Sequence, residues 1–219
     1  MVTGFILAGG KSSRMGRDKA LLPVGAHTLI EHVCQRLRLF VVRVIVIGNA
    51  HNLLRLRDTR SADAVLTDAQ PGYGPLMGIY TGLMHTETLF NVFIPCDMPW
   101  VERRLIDRLL RACDQGRVPT PWAADGSAED RRSSARHGVE MTASLHPVEG
   151  VQPFPLICRT TASRRIGALL NRGERSLQAL FHQPGTQLVR IEEPDLWRSF
   201  TNVNTVEDYA KLTETPVAS

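Results

Sequence analysis

A short apolar run that passes directly into a glycine-rich, cationic loop constrains the fold of this chain more than any other stretch. Val2–Leu7 is almost wholly apolar, and the next twelve residues read Ala-Gly-Gly-Lys-Ser-Ser-Arg-Met-Gly-Arg-Asp-Lys. The paired glycines, Gly9 and Gly10, let the backbone approach a ligand closely and adopt dihedral angles that a Cβ would forbid. Successive amides in such a loop can form an anion-binding concavity. The pattern therefore predicts a phosphate-binding loop after a buried first strand.

Two cations of this loop, Arg14 and Lys19, support a phosphate ligand because they can donate charge-assisted hydrogen bonds to phosphate oxygens. The spacing excludes two familiar glycine loops. No Gly-Lys-Ser/Thr closes the segment as in a P-loop, and the third glycine is misplaced for the dinucleotide-binding fingerprint. The structural alternative is a glycine turn that carries a few solvated cations.

Strand and helix patterns alternate four times in the first half of the chain. The predicted strands are Val2–Leu7, Val41–Ile47, Val65–Asp68 and Leu89–Pro95, and the predicted helices are Leu29–Leu39, a segment from the Pro71–Gly78 loop to about Thr86, and Val101–Cys113. The nearly continuous β-branched second strand is typical of a parallel strand covered on both faces. We therefore expect one α/β domain, with a mainly parallel sheet and helices on both of its faces.

The second half of the chain has a weaker pattern. Residues 118–152 are rich in alanine, serine, arginine and proline, which predicts a long, poorly ordered loop with a candidate short strand at Val139–Leu145. Strands are predicted at Phe154–Arg159 and Leu188–Ile191, and helices at Ala162–Leu170, Ser176–Phe181 and after Thr205, the expected N-cap. We expect a single domain over residues 1–212, with 118–152 as an insert and 213–219 as a tail.

Charge and cysteine usage limit the possible functions. The net charge of +4 and the pI near 9.1 suit anionic ligands, but the positive charge is too diffuse to indicate nucleic-acid binding. The four cysteines are widely spaced, without a Cys-x-x-Cys pair, so neither a zinc site nor a disulfide framework is indicated. Because glycines interrupt the first apolar run and no apolar stretch approaches about 18 residues, we expect a cytoplasmic protein without a membrane segment.

Three further polar residues follow predicted strands. Asp97 ends the fourth strand and can hold Mg²⁺ against substrate phosphates, although it could instead cap a helix near Val101. Asn49 follows the second strand, and Asp68 the third, and each also fits an ordinary turn. Because ligands bind at the carboxyl ends of parallel strands, we expect the Gly9–Lys19 loop, Asn49 and Asp97 to converge on one edge of the sheet.

The glycine-rich loop, Leu-Ala-Gly-Gly-Lys-Ser-Ser-Arg-Met-Gly-Arg-Asp-Lys, closely resembles the signature loop of nucleotidyltransferases that activate small phosphorylated metabolites. Its paired glycine resembles the molybdenum cofactor guanylyltransferase (MobA-type) branch. The resemblance extends from Leu7 to Asp208 except for residues 118–152, where relatives usually have a short connection. Matching motifs are Gly74-Pro75-Leu76, Pro95-Cys96-Asp97 and Asn202-Val203-Asn204-Thr205, with Gln152-Pro153 and Gly173-Glu174-Arg175 less specific. It implies a Rossmann-like three-layer sandwich with a mixed, mainly parallel sheet, as in nucleotide-diphospho-sugar transferases.

The resemblance also implies roles for individual residues. It assigns nucleotide binding to Leu7, Ala8, Gly9, Gly10, Lys19, Asn49, Asp68 and Asp97, with the Leu7–Gly9 backbone reading the guanine. The expected catalytic residues are Arg14, Lys19 and Asp97, and Asp97 is the expected Mg²⁺ ligand. Gly74, Gly78, Asn202 and Asn204 are expected on the pterin side. From the residues alone, the two asparagines are better explained as helix caps.

The implied reaction is an attack of the terminal phosphate of molybdopterin on the α-phosphorus of GTP, with pyrophosphate leaving. Such a transfer needs positioning and charge neutralisation more than a covalent nucleophile. Expected partners are GTP, the molybdopterin cofactor, and cofactor-insertion proteins or recipient molybdoenzymes; the chain is expected to be a monomer. Gly10, where many relatives carry alanine, is expected to favour GTP over CTP by leaving room for a purine. The alternatives are a cytidylyltransferase or sugar-phosphate nucleotidyltransferase on the same fold, and a non-catalytic GTP-binding module.

Overall fold

The structure, a computed structural model, describes residues 1–9, 18–49, 56, 59, 61–68, 73–116 and 138–214. Its strands are β1 (Val2–Leu7), β2 (Pro23–Val24), β3 (His27–Thr28), β4 (Arg43–Gly48), β5 (Ala64–Thr67), β6 (Phe90–Pro95), β7 (Met141–His146), β8 (Gly150–Arg159) and β9 (Thr186–Arg190). Its α-helices are α1 (Leu29–Arg38), α2 (Gly74–Met84), α3 (Arg103–Gln115), α4 (Ser163–Asn171), α5 (Gln178–Phe181) and α6 (Val206–Glu214). Lys19–Leu21, Thr160–Ala162 and Pro194–Phe200 are 3₁₀ turns.

The main sheet is mixed and mainly parallel, as predicted. Over the described residues its strand order is β5-β4-β1-β6-β8-β7-β9. The neighbours β5, β4, β1 and β6 are parallel, as are β7 and β9, whereas β8 runs antiparallel to both β6 and β7. The short strands β2 and β3 form a separate hairpin. This arrangement sets the carboxyl ends of β4, β1 and β6 side by side.

The central strands are buried on both faces, which explains their unbroken apolar sequences. Side chains alternate across a strand, so that Ile6 packs with α1 and α3 while its neighbour Phe5 packs with α2 and α4. The same division holds for the other central strands: Val44, Val46, Val92 and Ile94 lie on the first face, and Ile45, Ile47 and Phe93 on the second. The predicted three-layer sandwich is therefore confirmed.

Most element boundaries agree with the sequence-based expectation. The helix predicted at Leu29–Leu39 ends at Arg38, and it begins with a capping box in which Thr28 and Glu31 bond each other's backbone amides. The other predicted helices and strands agree to within two residues at most ends. The last helix continues to Glu214, two residues past the expected end of the domain at 212.

The loop predicted over residues 118–152 is wrong for its second part. Met141–His146 forms β7, close to the candidate strand at Val139–Leu145, and β8 already begins at Gly150, four residues before the predicted start. The buried side chains of β7 include Thr142, Ser144 and His146. These side chains face the protein interior, so the overall composition that predicted a poorly ordered loop does not describe this part of the segment. Residues 117–137 lie outside the described part of the chain.

The cysteine side chains and the helices bear on two expectations drawn from the composition. Cys34, Cys96, Cys113 and Cys158 are all free, so no disulfide framework exists. Among the described helices, none is both long enough and apolar enough to cross a membrane.

Gly82 allows α2 to pack closely against the stacked rings of Phe5 and Phe93. This close contact predicts the effect of a substitution at Gly82. The rings of Phe5 and Phe93 stack with centroids 4.9 Å apart. An added Cβ on Gly82 would stand 2.7 Å from Cε1 of Phe93 and 3.0 Å from Cδ1 of Phe5. We expect Gly82→Ala to destabilise the protein by about 1–3 kcal/mol in denaturant unfolding, because overpacking exceeds the gain in helix propensity.

Gly138→Ala is the matched control for this substitution. No described atom lies within 4 Å of a Cβ built on Gly138. This variant should unfold within about 0.5 kcal/mol of wild type. A Gly82→Ala protein as stable as the control would show that the ring pair shifts without cost.

Candidate active site

The carboxyl ends of three parallel strands meet at one edge of the sheet. Leu7 of β1 is in register with Ile47 of β4 and with Pro95 of β6. One residue further, the amide of Ala8 donates to the carbonyl of Ile47 at 2.8 Å, and the amide of Cys96 donates to that of Leu7 at 3.1 Å. The segments that follow these strands therefore start side by side, which confirms the predicted convergence.

Lys19 lies at this edge because a short 3₁₀ turn holds its backbone. Oδ1 of Asp18 accepts a hydrogen bond from the amide of Ala20 at 3.2 Å and caps the turn. Ala20 is fully buried and anchors the turn in the core. The ammonium Nζ of Lys19 lies 3.4 Å from Oδ2 of Asp97. Their side chains are 17% and 21% exposed, so that the pair is partly shielded from water.

Asp97 carries a carboxylate that the protein makes harder to ionise. Burial raises its pKa above the ordinary aspartate value, although the charge of Lys19 and the hydrogen bond from it act in the opposite direction. The carbonyl of Asp97 accepts from the amide of Val203 at 2.8 Å. Helix α3 begins only at Arg103, with Glu102 at its N-cap position, so the helix-cap alternative for Asp97 is excluded.

The Asn202–Thr205 segment brings a third side chain to the pair. Oδ1 of Asn204 accepts a hydrogen bond from Nζ of Lys19 at 2.6 Å. Helix α6 is instead capped by Thr205, whose Oγ1 accepts from the amide of Asp208 at 3.1 Å. The N-cap predicted at Thr205 is confirmed, and the explanation of Asn204 as a helix cap is wrong. Asn202 is exposed.

Asn49 and Asp68 lie beside this edge. The amide of Asp68 donates to the carbonyl of Gly48, the last residue of β4, at 2.8 Å, so both residues follow adjacent strand ends. Both are half-buried. Their nucleotide-binding roles stay predictions.

Two glycines expected near the pterin have clear structural roles. Gly78 is buried in α2, where an added Cβ would stand 3.0 Å from Cδ2 of Leu7. Gly74 begins α2 with φ +69°, and a Cβ there would stand 3.3 Å from the carbonyl oxygen of Arg175. The guanidinium of Arg175 lies over the ring of Tyr73, at 4.3 Å from its centroid. The Gly74 and Gly173–Arg175 motifs are therefore neighbours in space, and a pterin role for either glycine stays a prediction.

Gly10 and Arg14, which the sequence singles out, lie outside the described residues.

The sequence did not predict two of the contacts that hold the site. Asp208 was missed, although its position three residues after Thr205 follows the capping-box pattern. The contact between Asn204 and Lys19 joins residues 185 positions apart, and no local pattern encodes it.

Cys96, next to Asp97, is not a nucleophile. Burial raises the pKa of its thiol to about 12, and the negative charge of Asp97 adds to this effect. The thiol therefore stays protonated at neutral pH, whereas a cysteine nucleophile acts as the thiolate.

The site fits a divalent cation that protein and substrate would share. Among the described residues, no group of three or more histidine, cysteine, aspartate or glutamate side chains could hold a metal ion. Mg²⁺ in phosphate-transfer sites commonly needs only one or two carboxylates, because substrate phosphates and water supply the other ligands. A single carboxylate at a strand end, beside the cation of Lys19, suits that kind of binding.

A mixed α/β sheet with a lysine and an aspartate at the carboxyl ends of its parallel strands suits the binding of a nucleotide and a metal ion. Residues 4–188 match the family model described as the MobA-like NTP transferase domain. The chain belongs to this family.

A curated relative agrees with this assignment, and two solved structures share the fold. A molybdenum cofactor guanylyltransferase of Vibrio parahaemolyticus is 30% identical over 210 residues, covering 94% of this chain and 92% of the relative. Molybdopterin-guanine dinucleotide biosynthesis protein A from Archaeoglobus fulgidus has a TM-score of 0.71 at 19% identity, covering 98% and 97% of the two chains. The 4-diphosphocytidyl-2C-methyl-D-erythritol synthase of Anaerococcus prevotii has a TM-score of 0.67 at 10% identity, with 97% and 94% covered. The two structural likenesses show the fold alone.

The raised pKa of Asp97 predicts that Asp97→Asn becomes more stable relative to wild type as the pH rises towards neutral. A carboxyl group whose pKa is higher in the folded than in the unfolded state makes the folded state less stable as pH rises through that interval. The asparagine does not titrate. We therefore expect the difference in Tm, variant minus wild type, to become more positive from about pH 3 to pH 7 in chelator-treated buffer.

Asp63→Asn is a control for which we expect the opposite trend of the Tm difference with pH. Burial alone would raise the pKa of Asp63, but a hydrogen bond from the Val44 amide and the Arg38 guanidinium lower it below the ordinary value. Its stabilising contribution is present above that value and is lost as pH falls through the folded-state pKa. The Tm difference for this variant should become more negative towards pH 7. Parallel trends for both variants would contradict the charge assignment at Asp97.

Proposed function

We propose that this protein transfers GMP from GTP to the terminal phosphate of molybdenum-loaded molybdopterin, forming molybdopterin guanine dinucleotide and pyrophosphate. The observation that carries the proposal is the partly buried Lys19–Asp97 pair at the carboxyl ends of the parallel strands, in a chain of the MobA-like NTP transferase family. The name of the Vibrio relative supports guanine and the pterin as the reactants.

The base is expected beside the first strand. The amide of Ala8 and the carbonyl of Leu7 already serve the sheet through their bonds to Ile47 and Cys96. Of the Leu7–Gly9 backbone that is expected to read the guanine, the peptide groups not engaged in these two bonds would make most of the contacts. No described atom lies within 4 Å of a Cβ position on Gly9. The nucleotide-binding role of the loop stays a prediction.

The phosphates are expected between Lys19 and Asp97. Lys19 would donate to phosphate oxygens, and its partial burial strengthens the interaction because less water screens the charge. Asp97 would hold Mg²⁺ together with the phosphates, and the bound ion would neutralise charge that develops during transfer. The attacking phosphate is already anionic near neutral pH, so that the site needs no general base. The chain's own task is to place the two phosphates in line.

The decisive experiment measures pyrophosphate release by the purified protein with molybdenum-loaded molybdopterin and each nucleoside triphosphate in turn. We expect the highest kcat/KM with GTP. A preference for CTP would establish the cytidylyltransferase alternative, which the shared fold of the Anaerococcus structure keeps relevant. Tight GTP binding without pyrophosphate release, with active pterin present, would establish a non-catalytic module. A monomeric state, a cytoplasmic location and the recipient molybdoenzymes stay predictions.

Replacing Lys19 should remove turnover without unfolding the protein. Loss of one preorganised charged donor costs roughly 2–4 kcal/mol of barrier, or about 10²–10³ in rate. We expect Lys19→Ala to lose activity by that factor while its thermal unfolding stays cooperative. Lys211→Ala, which removes an exposed lysine of α6, is the charge-matched control and should keep the wild-type rate. A Lys19→Ala enzyme with half of the wild-type rate would exclude the assigned role.

A further inference from the structure

Asn204 and Asp97 both contact the ammonium of Lys19, and Asn204 is the closer of the two and is neutral. Its Nζ lies 2.6 Å from Oδ1 of Asn204 but 3.4 Å from Oδ2 of Asp97. Charge-assisted hydrogen bonds from an ammonium to a carboxylate are typically about 2.7–2.9 Å long, so the contact with Asp97 is a loose one. Of these two contacts, the one with the asparagine holds the ammonium more closely.

A neutral acceptor suits a lysine that must bind phosphate. The four-carbon stem and the rotating ammonium carry rotamer entropy, which binding would have to overcome. An amide oxygen fixes the direction of the stem and adds no negative charge of its own beside Lys19. A second carboxylate in that place would fix the stem equally well and neutralise the charge that the phosphates need.

The backbone around Asn204 is itself fixed on both sides. Before it, the amide of Val203 donates to the carbonyl of Asp97 at 2.8 Å, and the Val203 side chain is fully buried. After it, Oδ2 of Asp208 accepts from the amides of Asn204 at 3.0 Å and of Thr205 at 2.9 Å. These bonds lower the pKa of Asp208, which keeps the carboxylate ionised and the cap intact at neutral pH.

We propose that Asn204 is a positioning residue that acts through Lys19, holding its ammonium at the nucleotide phosphates without neutralising it. This inference rests on the proposed nucleotide site, and it differs from the pterin contact that the sequence suggests for Asn204. A direct pterin contact would affect only the acceptor substrate. A residue that acts through Lys19 affects the nucleotide even when no pterin is present.

The test is a double-substitution cycle on GTP binding, measured by calorimetry with Mg²⁺ and without pterin. Asn204→Ala should weaken GTP binding by about tenfold in the wild-type background, as expected for a lost hydrogen bond to a charged group. In a Lys19→Ala background the same substitution should change the Kd by less than about twofold, because the group it acts on is gone. An equal loss in both backgrounds, or an effect confined to the KM for the pterin, would overturn the proposal.

Two further variants test whether the neutrality of the acceptor matters and whether the effect is specific to Asn204. Asn204→Asp keeps the size and an acceptor oxygen but adds a negative charge next to Lys19. We expect it to bind GTP at least as weakly as Asn204→Ala; wild-type affinity would show that neutrality of the acceptor is irrelevant. Asn171→Ala, an exposed asparagine at the end of α4, is the control and should leave the Kd unchanged. Because Asn204 is exposed, its variants should keep the Tm of wild type.

Failure of the proposed function can be told apart from failure of this inference. The cycle is repeated with CTP, and each protein is also assayed for pyrophosphate release with the pterin. Coupling between Asn204 and Lys19 that appears with CTP alone would reject guanylyl transfer and retain the positioning role. GTP turnover by the wild type without any coupling would retain the function and reject the positioning role.

Discussion

Burial of β4, β1 and β6 on both faces is the constraint on which the rest of the molecule depends. Because helices cover both sides of the sheet, neighbouring side chains such as Phe5 and Ile6 are both apolar. A polar side chain within these strands needs an internal partner, as Asn91 has in Thr160. Polar groups that meet a ligand therefore lie where a strand ends. The parallel register then places the ends of all three strands next to one another. The position of the site is therefore a consequence of how the core is formed.

The site lowers the stability of the fold at neutral pH, and the core compensates for the loss. Burial raises the pKa of Asp97 even though Lys19 lies beside it, so the ionised carboxylate is less stable here than in water. Such a group weakens the fold at neutral pH, yet a carboxylate poised at a strand end can gain ligands when a cation and phosphates arrive. Stability and activity are opposed at this residue, as is common for functional sites.

The sequence predicted the first half of the fold well because local pattern and tertiary environment agree there. In β4, for example, a β-branched run is also a doubly covered strand. The prediction of a poorly ordered loop was wrong for Met141–Gln152, where they disagree, although a candidate strand at Val139–Leu145 was predicted within it. In β7, Thr142 is fully buried, and its hydroxyl donates to the carbonyl of Leu109 in α3 at 3.0 Å, a partner that no local pattern reveals. The polarity of Thr142 indicates internal hydrogen bonding and not solvent.

The same limit applies to the candidate site. Strand-end residues such as Asp97 could be found because a strand end is a local feature and parallel strands share an edge. The contact of Lys19 with Asn204 could not, because it depends on the path of the chain through the whole second half. The sequence pattern here identifies the edge of the sheet at which the chemistry occurs. The partners of each side chain at that edge follow only from the complete fold.

The second half of the chain completes the site by bringing Asn204 to the turn that holds Lys19. Ser199, in the 3₁₀ turn before the Asn202–Thr205 segment, accepts through its Oγ from the amide of Glu102 at 3.2 Å, next to α3. Arg108 of α3 pairs with Glu193 just ahead of the same turn. These bonds fix the approach to Asn204, and Tyr209 of α6 then donates to the carbonyl of Pro23, close to the turn that holds Lys19. The β8-β7-β9 half thus bears on the chemistry indirectly, because it carries the chain back to the turn that holds Lys19.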